Sequence, residues 1–150
     1  MIIIDTNALV LLLVGSMDTK LIANHKRTSI YDEEDFYDLM DVIGDVKNLL
    51  VLPNIWTEVD NLLNNHSSYK YAYIEKLTET IKGTTEEYLQ SHIATSGDCF
   101  FDLGLTDSLI LERAQNCKLL ITSDSQLSDY AIAYGIEVYD LVKTKNLRLK

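Results

Sequence analysis

Four short, largely apolar runs, Ile2–Ile4, Leu49–Leu52, Lys118–Thr122 and Ile136–Leu141, are too brief to stand as helices, and long segments of helical periodicity part them from one another. Strands joined by helices cannot pair as hairpins. They lie side by side in parallel, with the connecting helices covering both faces of the sheet. The sequence therefore predicts an α/β fold, and it shows no internal repeat or low-complexity tract.

The helical segments carry their own signals. After Ile4 an apolar helical run extends to Gly15, which suits a left-handed stop, with Thr6 or Asn7 available as its cap. Met17 to Ile30 is irregular, reads as a surface loop and holds the internal basic knot His25, Lys26 and Arg27. Phe36, Leu39, Met40 and Ile43 then fall at i, i+3, i+4 and i+7, behind a first turn of Asp32, Glu33, Glu34 and Asp35 that suits the positive helix end. Pro53 closes the second strand, and Asn54 can cap a helix carrying Ile55, Val59, Leu62 and Leu63. Helices are expected from Tyr69 to Ile81 and after the capping box Thr84, Thr85, Glu86, Glu87. Ala94 to Gly104 reads as a loop, Thr106 as the cap of a helix from Asp107 to about Asn116, and Leu127 to Tyr134 as a short helix.

At 150 residues the chain suits one domain over 1–142, followed by a basic tail over 143–150 that carries Lys143, Lys145, Arg148 and Lys150 without an acid and is read as mobile or partner-facing. An apolar share of 47% with 24% charged residues excludes disordered and fibrous classes. Ala8–Val14, the longest apolar run, falls far short of the ~20 residues a membrane span needs. The N-terminus lacks a basic n-region and carries Asp5 inside its apolar stretch, so it reads as retained structure rather than a signal peptide. Cys99 and Cys117 form no CxxC pair and, with His25, His66 and His92, offer no zinc-like spacing. A reduced, cytoplasmic, zinc-free protein is the expectation.

Four acids fall where the pattern expects the core or a ligand edge. Asp5 and Asp124 follow two strands directly, at the edge where open α/β sheets bind ligands. Asp107 precedes Ile110, Leu111 and Ala114 on the same helical stripe, and Glu58 borders the buried face of its own helix. Each has a plain structural alternative: a cap for Asp5 and Asp124, a solvated helix edge for Glu58, a favourable helix N-terminus for Asp107. Burying several unpaired carboxylates together costs several kcal/mol each. No Lys or Arg is patterned to pair with all four, whereas Mg²⁺ or Mn²⁺, bound through oxygen, would neutralise them together and suit phosphodiester hydrolysis.

Asp5-Thr6-Asn7 after an apolar strand, Glu58 after a Pro-started helix, and the block LGLTDSLILERAQNCKLLITSDSQLSDYAIAYGIEVYDL together resemble the PIN domain family, including its VapC-like toxin ribonucleases. The likeness covers about the first fifteen residues, the region of Glu58, and Leu103 to Leu141; the middle helices are only compatible with it. It implies a three-layer α/β/α fold around a mostly parallel sheet of about four to five short strands. It also implies that Asp5, Glu58, Asp107 and Asp124 are catalytic acids binding Mg²⁺ or Mn²⁺, with Asn7 and Thr122 as polar supports. Asp129 reads as a surface helix residue. The activity implied is metal-dependent RNA cleavage, with an antitoxin or other regulatory protein as partner and a homodimer as the family habit, which the nine Tyr also suit.

The net charge of -10 is the opposite of a basic nucleic-acid footprint. Bound metal and the two basic clusters can offset it for a short single strand; otherwise the chain needs a partner or has lost catalysis. The competing expectation is a catalytically silent PIN-like module that binds protein or RNA, its acidic turn Asp32–Asp35 suiting a basic partner. A phosphotransfer site on Asp5 fits poorly, because position 7 is Asn and no strand ends in a suitable Lys.

Overall fold

Ile2–Ile4 forms β1 at the centre of a five-stranded sheet in a computed structural model that describes residues 1–63 and 67–149. His66 and Lys150 lie outside the described residues. The other strands are β2 (Leu49–Val51), β3 (Thr85–Glu86), β4 (Leu119–Thr122) and β5 (Val138–Asp140). Their order is β3-β2-β1-β4-β5, and every pairing is parallel. Eight helices accompany them among the described residues: α1 (Thr6–Met17), α2 (Glu33–Ile43), α3 (Pro53–Leu63), α4 (Lys70–Gly83), α5 (His92–Thr95), α6 (Phe100–Ala114), α7 (Ser125–Ala133) and α8 (Leu141–Arg148).

The strand order fixes the layers. From β1 the chain steps to β2 and then β3 on one side, and later from β4 to β5 on the other. Right-handed crossovers therefore put α1 to α4 on one face and α7 on the opposite face. The packing agrees: α1 meets α2, α3 and α4, while α6 meets α7. The result is a three-layer α/β/α fold whose strand order reverses between β1 and β4. Open α/β sheets hold ligands at the carboxyl ends of the strands flanking such a reversal.

α1 is the most enclosed helix, with Ala8 through Gly15 all buried, so it has no solvated stripe. Gly15 does not terminate it as a left-handed cap; the helix continues to Met17 and ends at Asp18. Its role is close approach, since a Cβ at Gly15 would collide with the buried Phe36 ring of α2.

Several sequence expectations are corrected. The supposed surface loop after Met17 contains a 3₁₀ segment, Thr19–Asn24, and buries Ile22, His25 and Thr28. Thr85 and Glu86 open no helix: they extend the free edge of β2 as a two-residue strand, which satisfies backbone groups a sheet edge leaves open. Ala94 to Gly104 is largely helical, and Gly104, with φ 78°, breaks α6 near its start.

The basic tail is a helix as far as Arg148. α8 packs on α2, where Lys145 Nζ lies 3.1 Å from Asp35 and 3.8 Å from Asp32, and Arg148 reaches Asp35, Asp38 at 2.7 Å and Glu34 at 3.5 Å. Asp35 is buried and also closes a capping box with Asp32. The acidic turn that suits a foreign basic partner is thus engaged by the chain's own terminus. Lys143 pairs with Asp129 at 3.7 Å, and Asp129 is the exposed helix residue expected.

Two substitutions check this packing. Gly15→Ala should lower unfolding stability by about 1–3 kcal/mol in urea titrations, although Ala is the better helix former, because the buried ring of Phe36 must shift to admit the methyl group. Arg148→Ala should cost about 2 kcal/mol by leaving the buried Asp35 with Lys145 as its remaining cation, and Arg148→Lys should recover part of the loss.

Candidate functional site

The residue after β1, Asp5, is held from three directions. As the cap of α1 it accepts a hydrogen bond from the Ala8 N–H at 3.0 Å, and across the sheet it accepts the Thr122 hydroxyl and the Ser123 N–H at 3.0 Å. Thr122 is fully buried at the end of β4, and its hydroxyl oxygen also accepts the Asp124 N–H at 2.9 Å. Asp5 is only 5% exposed, and burial pushes its carboxyl up to about 6 despite these donors.

Glu58, on α3, is half-buried. Its two oxygens accept the hydroxyls of Thr6, from α1, and Thr106, from α6 at 2.9 Å. One carboxylate thus joins three helices around the mouth of the sheet. Thr106 does not cap a helix as its sequence position suggests; it lies inside α6 beyond the Gly104 break and turns toward Glu58. Asp124 is exposed and caps α7 by accepting the Leu127 N–H at 2.9 Å.

Asp107 differs from these three, because no hydrogen bond or ion pair to its carboxylate is made among the described residues. Burial raises its carboxyl to about 7, and the charges of Asp124, Asp5 and Glu58, in that order, add to the effect. Asp107 thus feels the charge of acids from three other segments, the ends of β1 and β4 and the middle of α3. Asn7 is exposed on the first turn of α1 and lines a cleft of about 300 Å³ with Thr6, Arg27, Glu58, Asn61 and Leu62.

Among the described residues, no three His, Cys, Asp or Glu side chains are gathered into a ready group for a metal ion. The donor chemistry nonetheless fits a hard divalent cation. All four groups offer oxygen, and repulsion between buried carboxylates is what such a cation relieves. Mg²⁺ in particular keeps several waters, so carboxylates can share it without converging directly on one point.

Three contributors escaped the sequence pattern. Tyr31 is buried, hydrogen-bonded to the Ser123 side chain and close enough to Asp5, Asp35 and Asp140 that burial first, then these charges, push its hydroxyl up to about 12. It follows an irregular stretch, where periodicity has nothing to report. Asp140 ends β5 opposite Thr122, is buried, and caps α8 through the N–H groups of Val142 and Lys143, each at 3.0 Å. The criterion that singled out Asp5 and Asp124, an acid where a strand stops, would have found Asp140 too. Thr106 was visible only as a cap.

No family model and no curated relative matches the chain. Among solved structures it is similar to a domain of a functionally unknown protein from Methanocaldococcus jannaschii DSM 2661, at 19% identity over 93% of this chain and 89% of that one, with a TM-score of 0.47. A likeness at that level carries no argument. No helix of the described residues is long and apolar enough to cross a membrane.

The raised acids make a pH prediction. Folded-state values near 6 and 7 lie above the ordinary 3.8, so from about pH 4 upward the folded protein holds more protons than the unfolded chain. In EDTA this contribution should lower stability as pH rises, with the full penalty present above about pH 7. Asp107→Asn should flatten that fall and melt higher than wild type at pH 8, by on the order of 1–3 kcal/mol. Parallel pH–melting curves for the two proteins are the check.

Proposed function

We propose that the chain is a Mg²⁺- or Mn²⁺-dependent endoribonuclease of the PIN type. What supports this reading is that Asp5 and Asp124 follow the two strands between which the order reverses, and that their charges and that of Glu58 bear on Asp107, which is pushed to about 7 with no counter-charge bonded to it among the described residues. An electrostatic debt of this kind is tolerated in a stable domain when a cation or its ligand settles it.

When bound, the metal supplies activation of water and neutralisation of the charge that develops on the phosphate. The protein's part is placement. Asp5, fixed by Ala8, Thr122 and Ser123, would be the rigid ligand, and Asp107 and Asp124 would share the cation with it. Glu58, braced by two threonines, either joins them or orients the attacking water. Thr122 supports Asp5, and Asn7 sits at the rim, where substrate would pass. Water attacks the phosphodiester directly, so no covalent enzyme intermediate forms. A toxin role, with an antitoxin protein covering the site, is the biological setting this reading favours, in the cytoplasm. It rests on the family likeness of the motifs.

The net charge of -10 favours a second reading, a PIN-like module that binds protein or RNA without cutting it. Incubating a mixed single-stranded RNA pool with purified protein in Mn²⁺, Mg²⁺ or EDTA separates the two. Cleavage should require metal and fall by about 10²-fold or more in Asp5→Asn and in Asp107→Asn. An uncut pool beside a clear Mn²⁺-induced rise in melting temperature would favour the binding module, since a ligand that binds only the native state stabilises it. Cutting that persists in both variants would remove the four acids from the chemistry.

A further inference from the structure

An acidic site that acts on a phosphodiester must draw a polyanion toward carboxylates that repel it. In a chain with 13 basic against 23 acidic residues, the position of each strong cation matters. The sequence has three arginines. Arg113 is clamped by both oxygens of Glu87, one of them at 3.1 Å, and Arg148 is spent on α2. The C-terminal basic cluster, one of two candidates for an RNA footprint, is therefore largely neutralised inside the fold.

In the other cluster, Lys26 and Arg27 face solvent. Arg27 is exposed and lines the cleft of about 300 Å³ that Asn7, Asn61 and one of the four acids, Glu58, also line. Its mounting is firm. His25 and Thr28, on either side, are both buried; the Arg27 N–H donates to His25 Nδ1 at 3.1 Å, and the Thr28 hydroxyl donates to the Ile22 carbonyl at 2.7 Å. Two anchored neighbours hold the intervening residues outward. The residues that line the cleft include one arginine and two asparagines, whose side chains carry donors suited to phosphate oxygens and base edges, and its volume is at the small end for ligand pockets.

We infer that Arg27, with Asn7 and Asn61, forms the entry subsite for a single-stranded RNA, gripping one backbone phosphate beside the scissile bond while the acids act on the next. This rests on the ribonuclease reading. Arg27 is here a substrate-positioning residue: it offsets the local repulsion and sets where the strand enters, and it takes no part in bond cleavage.

The test compares Arg27→Glu, Arg27→Lys and, as a matched charge change before the opposite end of β2, Lys47→Glu. Binding of a fluorescein-labelled single-stranded oligouridine is followed by anisotropy in Mn²⁺ on an Asp107→Asn background, and cleavage is followed on the otherwise wild-type chain. Arg27→Glu should weaken binding and raise KM by about tenfold or more with kcat held. It should also lower the slope of log affinity against log salt by about 0.7, the share of one single-strand phosphate contact. Arg27→Lys should restore most of the affinity, Lys47→Glu should change little, and the Mn²⁺ melting shift should survive in all three. Wild-type cleavage with KM and binding unmoved by Arg27→Glu would overturn the subsite alone. Binding that depends on Arg27 without any cleavage would overturn the ribonuclease and keep the subsite. Neither binding nor cleavage would overturn both.

Discussion

Asp5 is the point on which both the fold and the candidate chemistry turn. It ends the central strand, starts the most enclosed helix, and reaches across to Thr122 and Ser123 at the end of the adjacent strand. β1 and β4 are the strands between which the order reverses, so this one carboxylate stitches the seam of the sheet at its ligand edge. Its charge is costly because the same enclosure that fixes its position removes water from it. Fold stability and site chemistry are therefore opposed at this residue, as they are at many functional sites.

The remaining acids extend the same opposition in graded form. Glu58 and Asp124 are braced by hydroxyl or backbone donors, and Asp124 is exposed, while Asp107 is half-buried and lacks a bonded donor among the described residues. A group held only by its helix, facing three like charges, is the member a cation would relieve most. The threonines matter because they orient carboxylates without neutralising them. A lysine in the place of Thr6 or Thr106 would pair with Glu58 and weaken the negative field that the four acids build.

Charge elsewhere is arranged so that the basic residues are not wasted evenly over an acidic surface. α8 delivers Lys145 and Arg148 to the acidic start of α2, which lets Asp35 be buried and holds the segment bearing Tyr31 against Ser123. Arg113 closes on Glu87. Of the three arginines, Arg27 is the one these internal pairs leave exposed, and it lines the cleft beside Glu58, so the distribution of intramolecular ion pairs also shapes the potential there.

The alternation of short apolar runs with helical stripes was enough to determine the α/β class, the parallel sense of the sheet and the location of β1, β2, β4 and β5. These follow from local periodicity and from the rule that strands joined by helices run parallel. Asp5 and Asp124 were legible because strand ends are local features, and Asp107 because a single acid interrupted an apolar stripe. Tertiary structure decided the rest. Gly15 proved a contact with Phe36 instead of a cap, Thr85 and Glu86 a strand because the edge of β2 was open, and the basic terminus a helix because acids more than 100 residues earlier in the chain received it. Thr106 and Tyr31 joined the site by the same means, whereas Asp140, an acid where β5 stops, was as local a feature as Asp5. Sequence records what each segment prefers alone. Which side chain answers a distant charge, or fills a gap that a missing Cβ leaves, is settled only when the layers pack.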